Sequence, residues 1–276
     1  MKGREPVRLP PIRKEYLWGT EDWMLSDLHE QLKQPIPLLI KIITAREALS
    51  IQVHPPDDFA EKEEKKSGKT EMWYILECDP GACLYYGLKH KISPEEFLKR
   101  IRNKTIPEVC HKVPVKTGDV FYIPAGLLHA VGKGITLAEI QQNSDITYRV
   151  FDYDREDGRG EKRPLHIEKA AVVAGFLPPL QGHRPMGMPV EGEGHIRTLL
   201  VQCPYFKVCL YEIKKELKGI CEDDFQSILI LDGEGTLVWE GGMLPIQKRD
   251  SLFLPQGMGW YEIRGGVRLL LSERGY

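Results

Sequence analysis

The sequence lacks any long apolar run. The longest, from Ile36 to Ile43, is interrupted by Pro37 and Lys41 and falls far short of the ~20 residues that span a bilayer. The segment from Met1 to Pro11 is charged and proline-rich, without the apolar stretch of a secretion signal. We therefore expect a cytoplasmic protein with no membrane partner.

Cysteine pairs and an excess of either charge are also missing. The six cysteines are scattered and none forms a CxxC pair, which argues against a zinc ribbon or a thioredoxin-type site and predicts reduced thiols. The 38 basic and 40 acidic residues give a net charge of −2. No strong basic field is therefore available for nucleic acid, although a local basic pocket for a small anion remains open.

The sequence does contain many short segments typical of β-strands. Its 26 glycines and 20 prolines separate short runs rich in Val, Ile, Tyr and Phe, a pattern typical of an all-β protein. The predicted strands are residues 37–43, 50–54, 71–77, 82–86, 120–124, 206–213, 225–231, 235–240, 251–254 and 267–272.

Helix signals are fewer. Ser93 reads as an N-cap, followed by a proline in the first turn and by Glu96 in the capping-box position. A second helix is expected over residues 167–173. Four prolines and four glycines in residues 176–195 indicate a linker, which predicts one domain over residues 1–175 and a smaller one over residues 196–276.

The two halves resemble each other. Residues 116–126 and 248–257 both read as a turn, a buried strand and Pro-x-Gly, and residues 74–77 resemble residues 229–232. The offset is 155 residues in the earlier match and 131 in the later one. The difference indicates a helical insertion in the first copy, near residues 87–112. Two small β-barrels of the jelly-roll kind, with a few short helices, are the expected fold.

Four polar side chains in the first copy are candidate metal ligands. In a strand, Gln52 and His54 project to one face while Val53 points to the other. Glu71 opens another predicted strand, and His129 follows a Pro-Ala-Gly turn. Two imidazoles, a carboxylate and an amide oxygen suit Zn²⁺ or a similar divalent ion.

The second copy strengthens this interpretation, because a lone histidine in an apolar strand is more often a satisfied core residue. Under the two offsets, all four ligand positions differ while the apolar frame persists. The residues at these positions are Lys207, Cys209, Gln226 and Trp260. This pattern predicts one copy with a metal and one without.

Several of these segments resemble the short bacterial branch of type I mannose-6-phosphate isomerase, a family of two-cupin proteins. They are residues 41–43, 50–55, 68–71, 124–130 and 139–149. The resemblance runs from about Trp18 to His166 and continues more weakly over residues 206–272, where the family has a metal-free second cupin. It implies an enzyme that interconverts mannose 6-phosphate and fructose 6-phosphate through a cis-enediolate.

The resemblance also implies roles for individual residues. One zinc ion per chain would be bound by Gln52, His54, Glu71 and His129. Arg149 would be an active-site residue in the same pocket. The pocket would also be lined by Lys41, Lys69, Glu139 and Asp145. The longer branch has a histidine before the lysine where this chain has Gly68, so any role of that histidine does not carry over.

The chemistry of the charged residues fits a phosphosugar. The Arg149 guanidinium offers a bidentate fork for enediolate or phosphate oxygens. Lys69 lies two residues before Glu71, hence on the predicted metal face, where it can act as acid or base. Lys41 is the one charge in an apolar strand, and a buried lysine needs a partner or a function.

Structural alternatives remain open for the same residues. Lys41 could pair with a buried carboxylate, and Glu139 and Asp145 could brace Arg149 or orient a ligand histidine. Arg149 could bridge to an aspartate, either Asp152 or Asp154. The charged run over residues 61–66 is expected to be a solvated face or a mobile loop, with a lid over the pocket as a further possibility.

Two rival functions are also open. Two histidines and one carboxylate are the ligand set of Fe(II) oxygenases, and a phosphosugar-binding protein without turnover would keep the same pocket. Gln52 and the cationic Lys41, Lys69 and Arg149 favour the isomerase. The sequence leaves the proton-transferring base, the phosphate anchor and the choice between monomer and homodimer undetermined.

Overall fold

The computed structural model describes residues 4–32, 35–179 and 182–276. Two residues of the predicted linker, 180–181, lie outside the described ranges. The chain divides into two compact units. The first unit takes the described residues of Met1–Ile12, Trp23–Lys41 and Arg184–Tyr276, and the second takes Arg13–Asp22 and Ile42–His183. The first unit thus draws on three separate stretches of sequence.

The described residues are mostly β-strand, with a few short helices, as the sequence predicted. The strands are β1 (Val7–Leu9), β2 (Ile12–Tyr16), β3 (Gly19–Leu25), β4 (Leu38–Ala45), β5 (Ile51–Val53), β6 (Glu71–Cys78), β7 (Cys83–Leu88), β8 (Cys110–Pro114), β9 (Val120–Ile123), β10 (His129–Ala130), β11 (Ile135–Gln142), β12 (Tyr148–Phe151), β13 (Val190–Gly192), β14 (His195–Gln202), β15 (Phe206–Ile213), β16 (Glu216–Cys221), β17 (Gln226–Trp239), β18 (Gly242–Gln247), β19 (Ser251–Leu254) and β20 (Gly259–Arg274). The helices are α1 (Asp57–Glu64), α2 (Pro94–Arg102), α3 (Ile106–Val109) and α4 (Ile167–Val173). None of the helices within the described ranges has the length and apolarity to cross a bilayer.

All ten predicted strands overlap strands of the structure, with one correction. Residues 225–231 and 235–240 were expected as two strands, but both lie within the single strand β17. This strand pairs with the similarly long β20 from Gln226, opposite Glu273, to Trp239, opposite Tyr261. A register shift after Ile230 lets the long pair bend without ending, as a β-bulge does.

The strands form three antiparallel sheets whose orders are open at both ends. The nine-stranded sheet of the first unit has the order β1-β19-β17-β20-β15-β14-β13, with β16 on β20 and β18 on β17. A five-stranded sheet, β12-β5-β10-β7-β8, lies in the second unit. The six-stranded sheet has the order β2-β3-β4-β11-β6-β9, and the boundary between the units falls within β2, β3 and β4.

The internal repeat predicted from the sequence is also present in the strand registers. Glu71 of β6 is opposite Ile123 of β9, and their counterparts under the two offsets, Gln226 and Leu254, are opposite each other in β17 and β19. The turn before the second strand repeats as well. The backbone N–H of Lys116 donates to the Asp119 carboxylate at 2.9 Å, and that of Gln247 donates to Asp250 at 2.8 Å. Both copies therefore use one supersecondary unit.

Helix α2 begins as the sequence predicted. The Ser93 hydroxyl accepts a hydrogen bond from the backbone N–H of Glu96 at 3.1 Å, which satisfies one of the free donors of the first turn. Phe97 and Ile101 are one turn apart on the buried face. They pack in the hydrophobic cluster that also contains Ile51 of β5.

The charged run over residues 61–66 is a mostly exposed face, as the first of its two expected forms. Residues 61–64 are the last turn of α1, and Lys65 and Lys66 follow it. Only Ala60 of this helix is buried, so the segment has little of the apolar periodicity that predicts helices. The helix ends at Lys65, whose backbone is left-handed with φ of 57°.

A large-to-small substitution tests how much the packing of α2 contributes to the free energy of unfolding. We expect Phe97→Ala to lower the free energy of unfolding by about 3–5 kcal/mol, because the ring is only 1% exposed and its removal leaves a cavity. Urea unfolding followed by circular dichroism measures the loss. Lys99→Ala, on the exposed face of the same helix, should stay within about 0.5 kcal/mol of the parent. A loss below about 1 kcal/mol for Phe97→Ala would contradict the packing.

Candidate metal centre

Three of the four predicted ligands come together in the interior of the second unit. His54, Glu71 and His129 are buried, and their ligand atoms all lie within 4.8 Å of one another. His54 Nε2 is 3.5 Å from Glu71 Oε2, and His129 Nε2 is 3.5 Å from Glu71 Oε1. One carboxylate therefore lies between two imidazole nitrogens, an arrangement that one divalent ion can satisfy at once.

Backbone contacts of β5 with β10, and of His54 with the turn before β10, bring these residues together. His129 opens the two-residue strand β10, opposite Gln52 of β5. The turn before it reaches back, since the backbone N–H of Gly126 donates to the His54 carbonyl at 2.9 Å. Gly126 has φ of 87°, and a Cβ there would lie 2.9 Å from the Val173 carbonyl oxygen. Only glycine fits this turn without strain.

Both imidazoles are oriented by backbone carbonyls. His54 Nδ1 donates to the Ile146 carbonyl and His129 Nδ1 to the Leu127 carbonyl, each at 2.8 Å. A carbonyl only accepts, so the proton is on Nδ1 and the Nε2 lone pair faces the cluster, as in metal-binding histidines. Burial lowers the pKa of His129 to about 4. The ring is therefore neutral at physiological pH, the form that binds a metal.

Gln52, the fourth predicted ligand, lies beside His129 at one edge of the cluster. Its amide Nε2 lies 3.5 Å from His129 Nε2, while its Oε1 accepts from the Ser50 hydroxyl at 3.2 Å. A half-turn of the amide would exchange these atoms and bring the oxygen to the cluster. Ser50 would then accept from the amide nitrogen, because a hydroxyl can donate or accept. The donor set of two imidazoles, a carboxylate and this amide oxygen fits Zn²⁺.

Lys69 and Glu139 lie beside the cluster. The Lys69 ammonium is 3.0 Å from Glu71 Oε2 and 4.0 Å from Glu139 Oε1, and both side chains are almost fully buried. The same carboxylate of Glu139 accepts from the indole Nε1 of Trp73 at 2.9 Å. The sequence reasoning missed Trp73. Strand alternation could have found it, because Lys69, Glu71 and Trp73 are two residues apart.

Arg149 is held by its backbone and not by its side chain. It is opposite Gln52 in the pairing of β12 with β5, so both residues project from the same face of the sheet. Its backbone N–H donates to His166 Nδ1 at 3.2 Å, and its carbonyl accepts from the His166 N–H at 2.8 Å. The buried Nε has no hydrogen-bond partner among the described residues. Burial, followed by the charge of Arg163, lowers the pKa of the guanidinium.

The aspartates considered as partners for Arg149 have other cations bound to them. Asp152 binds two arginines and Asp154 two lysines; these are Arg155, Arg163, Lys104 and Lys162. The described residues contain no ion pair within 4.0 Å between Arg149 and either aspartate, although the charge of Asp152 acts to raise the pKa of the guanidinium.

Asp145 contacts Lys66, and Lys41 lies near the ring of Trp23. The Asp145 carboxylate is 2.7 Å from the Lys66 ammonium and its side chain is 66% exposed. The hydrogen bond from Lys66 lowers the pKa of Asp145. Lys41 is buried in β4, with its ammonium 5.6 Å from the centre of the Trp23 ring. Lys41 and Trp23 belong to the first unit, whereas the three ligands belong to the second.

At the positions equivalent to the ligands in the repeat, the second copy has a hydrogen-bonded network of side chains. The Lys207 ammonium is 2.9 Å from Glu273, which also accepts from the Gln226 amide at 2.8 Å. The Tyr261 hydroxyl donates to the same Gln226 at 2.9 Å. Trp260, the equivalent of His129 in the repeat, is about half exposed. A lysine and a carboxylate thus neutralise each other where the first copy has metal-binding groups.

Comparison with known proteins identifies the family. The model of the phosphomannose isomerase type I catalytic domain matches residues 9–77, and the model of the mannose-6-phosphate isomerase cupin domain matches residues 190–274. The mannose-6-phosphate isomerase of Bacillus subtilis strain 168 is 37% identical over 238 residues, 86% of this chain and 75% of that protein.

Solved structures agree with the sequence comparison. The crystal structure of the Bacillus subtilis mannose 6-phosphate isomerase superposes with a TM-score of 0.89 and 30% identity, covering 98% of this chain and 100% of that one. A zinc-bound mannose 6-phosphate isomerase, only 14% identical, shares the fold with a TM-score of 0.72, over 98% of this chain and 100% of that one. This chain therefore belongs to the mannose-6-phosphate isomerase family and has the cupin fold.

Proposed function

We propose that the protein is a zinc-dependent aldose–ketose isomerase that interconverts mannose 6-phosphate and fructose 6-phosphate. The observation that carries the proposal is the buried cluster of His54, Glu71 and His129, with both imidazoles turned by backbone carbonyls so that Nε2 faces the carboxylate. Family membership supports the same activity. The substrate is a small phosphosugar.

Zinc is the proposed cofactor, one ion per chain, with Gln52 joining the three clustered residues as the fourth ligand. When bound, zinc would polarise the sugar carbonyl and stabilise the negative charge that develops on its oxygen. The same two imidazoles and carboxylate suit Fe(II) as well. Three basic groups that match a phosphosugar favour zinc and isomerisation over iron and oxygen chemistry.

The proposed catalytic residues are Lys69, Glu139, Arg149 and Asp145. Lys69 and Glu139 are the pair best suited to hold and move a proton, because their charged atoms lie 4.0 Å apart in a buried site. Arg149 would bind enediolate or phosphate oxygens through its fork, and its buried Nε supports this role. Lys41 is proposed to bind substrate together with Lys69 and Arg149. Asp145 stays a prediction, since its carboxylate contacts Lys66.

The finer architecture is part of the proposal. We place a catalytic cupin barrel at residues 1–175 with its helical insertion near 87–112, a linker at 176–195, and a metal-free cupin barrel at 196–276. The ion pair of Lys207 with Glu273 supports the absence of a metal from the second barrel. A cytoplasmic location and a monomeric or homodimeric state stay predictions from the sequence.

A coupled assay tests the function. Purified protein is incubated with a panel of phosphosugars, and fructose 6-phosphate formation is followed with and without a chelator. We expect turnover of mannose 6-phosphate that the chelator abolishes and zinc restores. Zinc-loaded protein that binds mannose 6-phosphate without forming fructose 6-phosphate would be a silent binding protein. Bound iron with oxygen consumption would instead indicate an oxygenase.

Trp73→Phe tests a positioning residue. The variant keeps an aromatic ring beside His129 but loses the N–H that donates to Glu139. A hydrogen bond to a charged group contributes roughly 1.5–3 kcal/mol, so we expect kcat to fall at least about tenfold. KM and zinc content should be nearly unchanged. Trp239→Phe, in the first unit, is the matched control. Equal kcat for the two variants would show that the indole N–H is dispensable.

A further inference from the structure

A cavity of about 250 Å³ is lined by residues of and next to helices α2 and α4, and none of its lining residues belongs to the metal cluster. Four of its lining residues are apolar and are called the floor below: Ile101, Phe151, Leu165 and Ile167. Five are basic and are called the rim below: Arg102, Lys104, Arg155, Lys162 and Arg163. Asp152 and Asp154 also line it. The proposed isomerase reaction uses none of these residues.

The cavity is on the other face of the five-stranded sheet from the metal cluster. Gln52 projects toward the cluster, whereas its neighbours Ile51 and Val53 pack in the hydrophobic cluster under the helices. Phe151 is opposite Ile51 in the pairing of β12 with β5, so it projects toward the helices with Ile51. Arg149 is opposite Gln52 and projects the other way. A ligand in the cavity would therefore not touch the metal cluster.

Around Asp152, the rim has more positive than negative charge. Asp152 accepts from Arg163 through both of its oxygens, at 2.6 and 2.8 Å, and from Arg155 through one of them. One carboxylate neutralises only one of these guanidiniums. Arginine forks recognise phosphoryl oxygens well, because they present paired donors and stay charged at any physiological pH.

Around Asp154, too, the rim has more positive than negative charge. The Asp154 carboxylate is shared by Lys104, at 2.7 Å, and Lys162, at 3.0 Å, and these contacts lower the pKa of Asp154. Arg102 adds a further cation at the end of α2. With five basic and two acidic residues, the wall of the cavity has three positive charges in excess.

The turn that carries the two aspartates has an unusual backbone. Tyr153 and Asp154 are consecutive left-handed residues, with φ of 57° and 55°, a conformation that a bulky side chain rarely adopts. The Arg155 guanidinium lies 5.2 Å from the centre of the Tyr153 ring. Sparsely populated backbone of this kind recurs at ligand-binding positions. Here it holds both carboxylates at the cavity edge.

We propose that this cavity binds a small phosphate monoester with a compact apolar body. The phosphoryl group would take the surplus charge of the rim, and the body would cover the four apolar side chains of the floor. The volume admits a ring-sized group and little more. The proposal is independent of the isomerase activity.

Phenyl phosphate is the probe that tests this site. It is titrated calorimetrically into the full-length, zinc-loaded protein in the presence of saturating mannose 6-phosphate, which occupies the proposed active site. We expect one phenyl phosphate per chain. Phenol, which lacks the phosphoryl group, and inorganic phosphate, which lacks the ring, should each bind at least about tenfold more weakly. Inorganic phosphate binding as tightly as phenyl phosphate would overturn the proposal.

Two double variants, each of which loses two positive charges, test whether phenyl phosphate binds in this cavity. Arg102→Gln with Lys162→Gln removes two rim cations and should weaken phenyl phosphate at least about tenfold. Lys99→Gln with Lys112→Gln removes two exposed cations of the same unit outside the cavity and should change the affinity less than about twofold. Equal affinity in the two variants, or displacement of phenyl phosphate by mannose 6-phosphate, would refute the site.

Turnover of mannose 6-phosphate, measured in the same samples, separates this proposal from the proposed function. Both double variants should keep the parental rate, because no substituted residue lies in the proposed active site. If no fructose 6-phosphate forms while phenyl phosphate binds in the expected pattern, the cavity site stands and the isomerase function fails. If turnover is normal and no variant or parent protein binds phenyl phosphate, the cavity site fails alone.

Discussion

His54→Ala is expected to lose bound zinc and isomerase activity together. The imidazole is 1% exposed, and its Nε2 lies 3.5 Å from the Glu71 carboxylate. A bound metal contributes several kcal/mol to stabilising the transition-state charge. Loss of about 4 kcal/mol corresponds to roughly a thousandfold lower turnover. Elemental analysis of the purified variant and the coupled assay measure the two losses.

The control for this variant is a histidine outside the site. His111 is exposed on β8, and His111→Ala should keep full zinc content and full activity. Circular dichroism should show that both variants are folded. If His54→Ala kept zinc at full occupancy, the ligand set would be wrong. If it kept zinc but lost activity, His54 would act on the substrate and not on the metal.

Arg149→Lys is expected to lower kcat/KM by about 10²–10³-fold while zinc content stays unchanged. Lysine keeps the charge but loses the planar fork that can bind two oxygens at once. Removing one preorganised donor to a developing oxyanion costs about this factor in other enzymes. The fold should tolerate the change, because Arg149 is held through its backbone by His166 and its Nε has no described partner.

Arg100→Lys is the matched control. Arg100 lies on α2 and pairs with Glu96 and Glu108 at the surface, where exchange of the two cations costs little. Zinc content, kcat and KM are measured for both variants. Loss of zinc together with activity in Arg149→Lys would assign the arginine a structural role. A variant with parental kcat/KM would remove Arg149 from the active site altogether.

Much of the fold could be predicted from the sequence, because strands with one buried face have a clear apolar pattern. The repeat was visible for the same reason, and the equal registers at Glu71 and Gln226 support it. The misses have physical causes. Strand β10 has two residues, too few for any period. Helix α1 buries only Ala60. The composition of the first unit depends on pairings distant in sequence, which no local pattern indicates.

The candidate site was predictable in part. Alternation placed Gln52 with His54 and Lys69 with Glu71, and the structure brings His54, Glu71 and His129 within 4.8 Å of one another. Trp73 was missed because an aromatic residue in a strand is usually only core, and the contact with Glu139 depends on β11 pairing with β6. The cavity under α2 could not be foreseen, since its walls come from segments about fifty residues apart.

The first unit has a consequence for how the protein is made. Val7 of β1 is opposite Phe253 of β19, and the Ser251 hydroxyl donates to the Met24 carbonyl at 2.7 Å. At roughly 5–20 residues per second, a ribosome needs about 12 to 50 s to add the intervening 245 or so residues. For that time β1 lacks its partner β19, so its free edge is exposed to mispairing or to capture by a chaperone.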